Sequence, residues 1–594
     1  MRILILEDSR TNRLLLSSYL ERGGHTVESV ENGRQGFLLA TSNQYDLFIS
    51  DIVMPQWDGF KFIEAMEVVC PRMPIIVVSS AYPEAEIRKR VGDSGNVIAI
   101  IPKPCDLQHL DSFLQGIKAQ TSDSVKKMAR IVCTIGPASD SPETLGRMIL
   151  AGMDVARLNF SHGSHDQHGR TLKNIRDAEE EWGKPIAVLQ DLCGPKIRTG
   201  VMTGEGVELS GGQSIRIVGE SVEGDGDRFS TITPEILPDL QVGDKVLLDD
   251  GLMELKVTRA GEHEVECRVV VGGVLKSNKG MNLPMTTLSL PSITDKDRAD
   301  LEWGLNHSVD YVALSFVRSP EEIRELKDII GKSKKRDLRV IAKIEKPEAV
   351  ENIVEIIEEA DAIMIARGDM GVELPAAKVP RIQQEIIRKC WERNTPVITA
   401  TQMLDTMTYN SRPTRAEVTD VSVAVKGGTD AVMLSGETAT GSDPVNVVRT
   451  MASIICEEER FTELDEDHFQ LLMEQHQVSP ALLAASTLNN ASATMLLDAH
   501  GILYPNLSRW NRQVPSLLVT KSLHVARHAS LYKNIVPLII REKLGRDEMV
   551  FEAIYMAKEW GYLNEGDMLA VVEGGRLTQG GILQLGAFQL IQVE

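Results

Sequence analysis

Residues 338–371, LRVIAKIEKPEAVENIVEIIEEADAIMIARGDMG, space two carboxylates and an ammonium so that a single fold would bring them together. An apolar run over 340–344, a Pro-initiated helical stretch over 347–359 and a second apolar run over 362–366 have the order and lengths of one βαβ unit. Side chains two apart share a face of a strand, so Lys343 and Glu345 point the same way at the carboxyl end of the first, with Asp369 just past the second. Carboxylate oxygens suit Mg²⁺, and a lysine beside them stabilises charge on a phosphoryl group in transfer. Taken alone, the stretch reads equally well as a solvated charged rim.

A second set stands near the start. Glu7 and Asp8 end the run RILILED, Asp51 ends DLFISD, Ser80 ends PIIVVSS and Lys103 lies in VIAIIPKP. With VESV these are five short apolar runs, each followed by a helical stretch, which predicts a doubly wound α/β domain over 1–119 whose strand ends share one crevice. Three carboxylates would hold Mg²⁺, a lysine would pair with an acyl phosphate and a hydroxyl would hydrogen-bond its oxygens, which makes Asp51 a candidate for phosphorylation. Ordinary strand-end charges explain any one of these residues, but poorly explain all five.

The elements that must position the first set begin after a polar linker over 120–127. Eight candidate strands follow, at 129–135, 155–158, 186–190, 311–316, 340–344, 362–366, 397–400 and 431–434, with helical stretches between them. They predict a (β/α)₈ barrel over 128–199 and 292–460, whose site lies at the carboxyl ends of its strands. Polar residues collect there: Arg157, Asn159, Ser161 and His162 after the second strand, Asp191, Lys196 and Arg198 after the third, Thr401 after the seventh, Ser435 and Glu437 after the eighth. Arg157, Arg198 and Lys343 would neutralise phosphate charge, Glu345 and Asp369 would hold the metal, and Thr401 with Ser435 and Glu437 would relay a proton.

Between 200 and 291 the helical pattern lapses into alternating, Gly-punctuated runs, which predict an inserted small β-barrel acting as a lid. Lys279, in SNKGMNLP, would return from it toward the site on closure. After the acidic bridge EEERFTELDEDHF, a helical ALLAASTLNNASATMLL and the runs SLLVT, VPLII, MLAVVEGG and AFQLIQV predict a third α/β domain over 478–594.

The chain of 594 residues carries a net charge of −21, which argues against a nucleic-acid partner because a polyanion would be repelled. No run approaches the roughly 18 apolar residues of a membrane span, and MRILILEDSR lacks a signal-peptide pattern. Seven scattered cysteines without a CxxC pair or zinc spacing fit a reducing compartment, so the cytoplasm is expected.

LILEDSRTNR, ISDIVMPQWDG, VVSSA and IPKP resemble a response-regulator receiver domain. The resemblance implies Asp51 as phosphoacceptor, Glu7 and Asp8 binding Mg²⁺ with it, Ser80 and Lys103 as switch residues, and a histidine kinase or small phosphodonor as partner. Ile100 departs from the family, which places an aromatic three residues before the lysine as part of its output switch. From 128 to about 455, RIVCTIGPAS, ARLNFSHG, GPKIRTG, IAKIEKPEA, IARGDMGVELP, ATQML, RPTRAEVTDV and AVMLSGET resemble the pyruvate kinase family. That resemblance implies glycolytic phosphoryl transfer from phosphoenolpyruvate to ADP, giving pyruvate and ATP. It implies Arg157 and Lys343 on the phosphoryl group, Mg²⁺ on Glu345 and Asp369, pyruvate held by Thr401 and the backbone at Gly368, the nucleotide approached by Asn159, His162, Arg198 and Lys279, and a homotetramer. The rival reading is a two-component signalling protein whose kinase portion senses phosphoenolpyruvate or nucleotide.

Two departures from the pyruvate kinase pattern carry expectations. Lys196 and Leu192 stand where many relatives have Glu and Thr, and an ammonium in the monovalent-cation pocket of Asn159, Ser161 and Asp191 would supply the charge of K⁺, so K⁺ is not expected to be required. DAHGIL, residues 498–503, stands where sugar-phosphate-responsive relatives have a phosphate loop, so fructose bisphosphate is not expected to activate.

Overall fold

The computed structural model describes residues 1–594 apart from 72, 93–94, 106, 115–126, 285, 334–336, 462–490, 509–513, 541–543, 561, 578–582 and 594. Near-continuous apolar runs suit strands covered on both faces, and the first domain is built from such runs. β1 (Arg2–Leu6), β2 (Thr26–Val30), β3 (Leu47–Ser50), β4 (Ile75–Ser79) and β5 (Val97–Pro102) pair in the order β2-β1-β3-β4-β5. The helices α1 (Arg10–Arg22), α2 (Gly33–Ser42), α3 (Gly59–Val69) and α4 (Glu84–Val91) make the crossovers, and α5 (Leu107–Leu114) follows the last strand. Leu6 lies opposite both Val30 and Ser50, so the strand ends are level and open onto one crevice.

Eight parallel strands then close into a ring: β6 (Arg130–Thr134), β7 (Val155–Asn159) and β8 (Ala187–Asp191), followed by Tyr311–Leu314, Arg339–Ile344, Ala362–Ala366, Val397–Ala400 and Ala431–Leu434, the last pairing back onto β6. Between β6 and β8 run α6 (Pro142–Ala151) and α7 (His165–Trp182). Ser141 caps α6 through the Thr144 amide, with Pro142 at the first turn. The ring interior is packed with Val132, Val155, Leu189, Tyr311, Ile341 and Met364, and this core continues into Tyr504 and Tyr532 of the carboxyl-terminal domain. That domain therefore plugs the ring's floor, which leaves the opposite mouth for chemistry.

Two local expectations change. The stretch 347–359 is two helices, Pro347–Glu351 and Ile353–Glu359, because Asn352 between them leaves helical geometry and its Nδ2 donates to the Arg318 carbonyl at 2.9 Å. In the run expected to be helical at the start of the last domain, Ala493–Leu497 is a fully buried strand, central in a five-stranded sheet; the preceding residues to 490 lie outside the described ones. The inserted segment is a small β domain around its own core, with a six-stranded sheet and a separate pair, Val207–Leu209 with Gly273–Leu275. The sheet's end strands, Arg228–Ser230 and Met281–Asn282, are joined through residues 198–199, where Arg198 bridges to Gly280 and Thr199 to Thr231. The linker over 120–127 lies outside the described residues except Lys127. Among the described residues no helix is long and apolar enough to cross a membrane.

Candidate active site

Strand alternation decides which side chains reach the mouth. Val155 faces the ring interior, so Arg157 and Asn159, two and four residues on, share its face; Leu189 places Asp191, and Ile341 places Lys343 and Glu345, in the same way. Ring closure then brings these groups together. Arg157 Nε donates to Asp191 Oδ2 at 2.7 Å and its Nη1 to Thr134 Oγ1 at 2.8 Å. Lys343 Nζ donates to Ser315 Oγ at 2.8 Å and stands 3.3 Å from Asp191 Oδ1 and 3.1 Å from Glu345 Oε1. Glu345 Oε2 accepts the Phe316 amide at 2.7 Å, which holds Phe316 in the left-handed region at φ 57°. Thr134 and Ser315 were missed in the sequence, although the alternation that marks Arg157 marks them too.

On the far side of the mouth Thr401 and Gln402 are also left-handed, at φ 68° and 53°. The Arg367 guanidinium donates to the Thr401 and Gln402 carbonyls at 2.8 and 3.3 Å and holds the turn in place. Thr401 Oγ1 accepts the Gly368 amide at 2.7 Å, at the start of the helix Arg367–Glu373 that carries Asp369.

Charge is balanced inside this cluster. Burial pulls the Lys343 ammonium down, but Asp191 and Glu345 more than offset it and hold its pKa above the ordinary lysine value. Burial raises the Asp191 carboxyl, yet Lys343 and Arg157 bring it below the usual range. For Glu345 burial wins, with Asp369 pushing the same way, and the carboxyl lies above its ordinary value. Glu345 Oε1 and Asp191 Oδ1 are sealed from solvent and face the Lys343 ammonium. The carboxylates of Glu345 and Asp369, at the wall of one cavity, are a hard-oxygen donor set that fits Mg²⁺.

That cavity, about 70 Å³, is lined by Arg157, Asp191, Lys343, Glu345, Asp369 and Thr401, together with Asn159, Ser161 and Lys196. A second one, of about 260 Å³, shares Lys196, Phe316 and Asp369 with it and extends under the inserted domain to Arg198, Asp249, Lys279, Arg318 and the buried Lys346–Glu373 pair, 2.7 Å apart. Lys279 Nζ is 2.8 Å from Asp249 Oδ1, and Arg198 Nη1 donates to the Asn278 carbonyl at 3.0 Å. Lys196 Nζ donates to Ser161 Oγ at 3.1 Å, which puts its ammonium in the pocket expected to take a monovalent cation. Asp249 carried no sequence signal, since it meets the site only through the placement of the inserted domain; Lys346 and Glu373 are barrel residues, just past Glu345 and at the end of the helix that carries Asp369, and pair with each other.

Three expected residues stand apart. His162 is exposed and lines neither cavity; its carbonyl hydrogen-bonds His168 Nε2 at 2.9 Å. Glu437 is buried with its carboxylate accepting the Ser435 and Leu404 amides at 2.6 and 3.2 Å, and the buried Ser435 Oγ has no hydrogen bond among the described residues. Neither lines the cavities, and backbone amides hold the Glu437 carboxylate that was expected to take part in a relay from Thr401 through Ser435.

At the other end of the chain, oxygens of Glu7, Asp8 and Asp51 lie within 4.8 Å of one another. Lys103 Nζ is 2.5 Å from Asp51 Oδ2 and 2.7 Å from Glu7 Oε2. Burial pulls this ammonium down, but its bonds to Asp51 and Glu7 more than offset that and raise its pKa. Ser80 is exposed just after β4. In the last domain, the buried Asp498 accepts the amides of Ile502, Leu503 and Tyr504 at 3.0, 2.7 and 3.1 Å, so a carboxylate of this chain already occupies the amides that open the helix Leu503–Leu507.

Residues 126–448 match the family model described as pyruvate kinase, barrel domain, residues 476–582 that of pyruvate kinase, alpha/beta domain, and residues 3–115 that of the response regulator receiver domain. The chain is 39% identical over 478 residues to a pyruvate kinase of Bacillus licheniformis, covering 79% of this chain and 80% of that protein. It is 41% identical over 461 residues to one of Geobacillus stearothermophilus, covering 76% and 78%. A crystal structure of a pyruvate kinase from Cryptosporidium parvum superposes with a TM-score of 0.73 at 32% identity, over 79% of this chain and 96% of that one.

Proposed function

The chain belongs to the pyruvate kinase family and carries a receiver domain at its amino-terminal end, and from that premise we propose that it transfers the phosphoryl group of phosphoenolpyruvate to ADP as the pyruvate-forming, ATP-forming step of glycolysis in the cytoplasm. In the reaction the bond from phosphorus to the enolate oxygen breaks, a bond to the β-phosphate oxygen of ADP forms, and the enolate takes a proton on carbon to become pyruvate. The observation that carries the proposal is the convergence of Arg157, Lys343, Glu345, Asp369 and Thr401 on one small cavity. Glu345 and Asp369 are the residues to hold Mg²⁺, which when bound draws charge from the phosphoryl oxygens.

Lys343, fixed between Ser315 and Asp191, presents a permanent positive charge to the phosphoryl group in flight. Arg157, held in orientation by Asp191 and Thr134, binds the same group. Thr401 and the Gly368 backbone hold the pyruvate moiety. Arg198 and Lys279, with Asn159 and His162 behind them, receive the nucleotide under the inserted domain, whose closure excludes water. Lys196 supplies the charge of K⁺. With Asp498 in the anion position of its helix, fructose bisphosphate finds no amides to bind. The family's homotetramer is expected, to be read by light scattering.

A coupled assay for pyruvate on the wild type and on Lys343→Met tests the reading. Turnover in the wild type that is lost in the variant supports an enzyme; an inactive wild type that still binds phosphoenolpyruvate would move the chain to the sensor reading. The receiver is proposed to accept a phosphoryl group on Asp51, with Glu7 and Asp8 as its Mg²⁺ ligands and Lys103 and Ser80 as its switch residues, from a histidine kinase or a small phosphodonor.

A further inference from the structure

We propose that the receiver communicates with the barrel through the start of α3, by way of Trp57 and Lys61 against Trp182 and Glu181, and that the message travels along α7 to the loop holding Asn159 and His162. This rests on the reading of Asp51 as the phosphoacceptor.

At the sending end there is no slack between Asp51 and α3. The Gly59 amide donates to the Ile52 carbonyl at 2.7 Å, and a Cβ at Gly59 would overlap the Asp51 carbonyl oxygen. Asp51 Oδ1 accepts the Ile52 amide at 2.6 Å, so the carboxylate is bonded directly to the chain that leads into α3. Within that chain Gln56 is left-handed at φ 60°, which limits the ways in which it can adjust.

The contact itself is specific. Trp57 and Trp182 meet edge to face, with ring centroids 4.9 Å apart and planes at 84°. Lys61 Nζ stands 5.2 Å from the Trp57 ring centre and 4.6 Å from that of Trp182, and 2.9 Å from Glu181 Oε1. Trp182 cannot give way alone, because a Cβ at Gly146 of α6 would already overlap its indole. The far end of α3 is tied separately, Arg449 Nε donating to the Val68 carbonyl at 2.6 Å. Beside these contacts a cavity of about 670 Å³ opens, and around it α2 makes contacts of its own, Arg34 lying against Gly183 just past α7 and Ser42 Oγ donating to the Trp560 carbonyl at 2.5 Å.

The receiving end is the other end of the same helix. Trp182 is the last residue of α7 and His165 the first, and the helix of 18 residues is about 27 Å long at about 1.5 Å per residue. Ser164 and Gln167 form a capping box there, His168 Nε2 bonds the His162 carbonyl, and Phe160 stacks on His168 at 4.0 Å. The loop bearing Asn159 and His162 therefore rests on the first turn of α7 and moves with it. Since the proposed function gives Asn159 and His162 to the nucleotide, the effect is expected on ADP and not on phosphoenolpyruvate.

The test uses the full chain with acetyl phosphate and Mg²⁺. A carboxylate oxygen of Asp51 attacks phosphorus and acetate leaves with the electron pair, giving an acyl phosphate counted by intact mass, with Asp51→Asn as blank. The expected result is a several-fold change in KM for ADP on phosphorylation, with KM for phosphoenolpyruvate steady. Trp57→Ala and Lys61→Glu should phosphorylate as the wild type does and lose that change; Lys61→Glu combined with Glu181→Lys should regain it, and Ile100→Ala should keep it. A wild type that takes no phosphoryl group overturns the Asp51 reading and this inference together. Phosphorylation without a kinetic effect overturns the inference alone. A change that survives Trp57→Ala and Lys61→Glu overturns the route, and one confined to phosphoenolpyruvate overturns its α7 end.

Discussion

The two ends of this chain use nearly the same chemical groups. At the receiver crevice Lys103 pairs with Asp51 and Glu7; at the barrel mouth Lys343 pairs with Asp191 and Glu345. Both sets stand at the carboxyl ends of parallel strands, and in both the ammonium is held above its ordinary pKa by the acids beside it. What differs is the architecture around them. The receiver sheet is open, with Asp8 exposed beside Asp51, as the proposed phosphorylation there requires. The barrel closes its strands into a ring, adds Arg157 and Thr401 from other strands, and sets a second domain over the mouth, so a phosphoryl group is bracketed by donor and acceptor and passed on. An open edge suits a mark and a covered ring suits turnover.

The sharpest way to break this comparison is to remove the two lysines separately. Lys343→Met should lower kcat by about 10²–10³-fold, the scale of losing one preorganised charge at a transition state, in a coupled pyruvate assay. Lys103→Met should leave unphosphorylated turnover unchanged. Equal losses would mean that the two sites are not functionally distinct. Glu345→Gln should come next, raising the Mg²⁺ needed for half-maximal rate by about 10–100-fold in a metal titration, as expected when a ligand's charge is lost. A variant with unaltered Mg²⁺ dependence would remove Glu345 from the metal site.

A smaller effect is expected at Lys196. The wild type should turn over equally with and without K⁺ in buffers free of Na⁺, and Lys196→Glu should gain a K⁺ requirement of about tenfold, or about 1.4 kcal/mol, between the roughly 1 kcal/mol of a charge pair in water and the roughly 4 kcal/mol of one near a protein surface. A wild type that loses most of its rate without K⁺ would refute the substitution of ammonium for ion. The smallest expected effect is none: adding fructose bisphosphate should leave the phosphoenolpyruvate KM where it was, because Asp498 holds the amides of its helix. A clear fall in that KM would show that the carboxylate is displaced.

Much of this was legible in the residues, because strand alternation is local. The period of two is enough to put Arg157 with Asn159, and Lys343 with Glu345, on one face, and apolar runs are enough to mark the eight barrel strands and the five of the receiver. Local periodicity also explains the failures. The run ending in Ala493–Leu497 looks helical by its Ala and Leu content, yet its burial on both faces in the middle of a sheet makes it a strand. Glu437 looks like a proton carrier by its place after the eighth strand, until two backbone amides turn out to own its carboxylate.

From sequence alone came the identity of the groups at each strand end and the face on which they lie, since both follow from backbone geometry over a few residues. Only the tertiary structure decided which of them meet. Arg157 finds Asp191 because ring closure lays β7 against β8, Lys279 finds Asp249 within the inserted domain, and Trp57 finds Trp182 across 125 positions of chain. An ion pair or a ring contact depends on separation in space and on which amides and carboxylates compete for the same partner, and neither quantity is carried by the period of a strand.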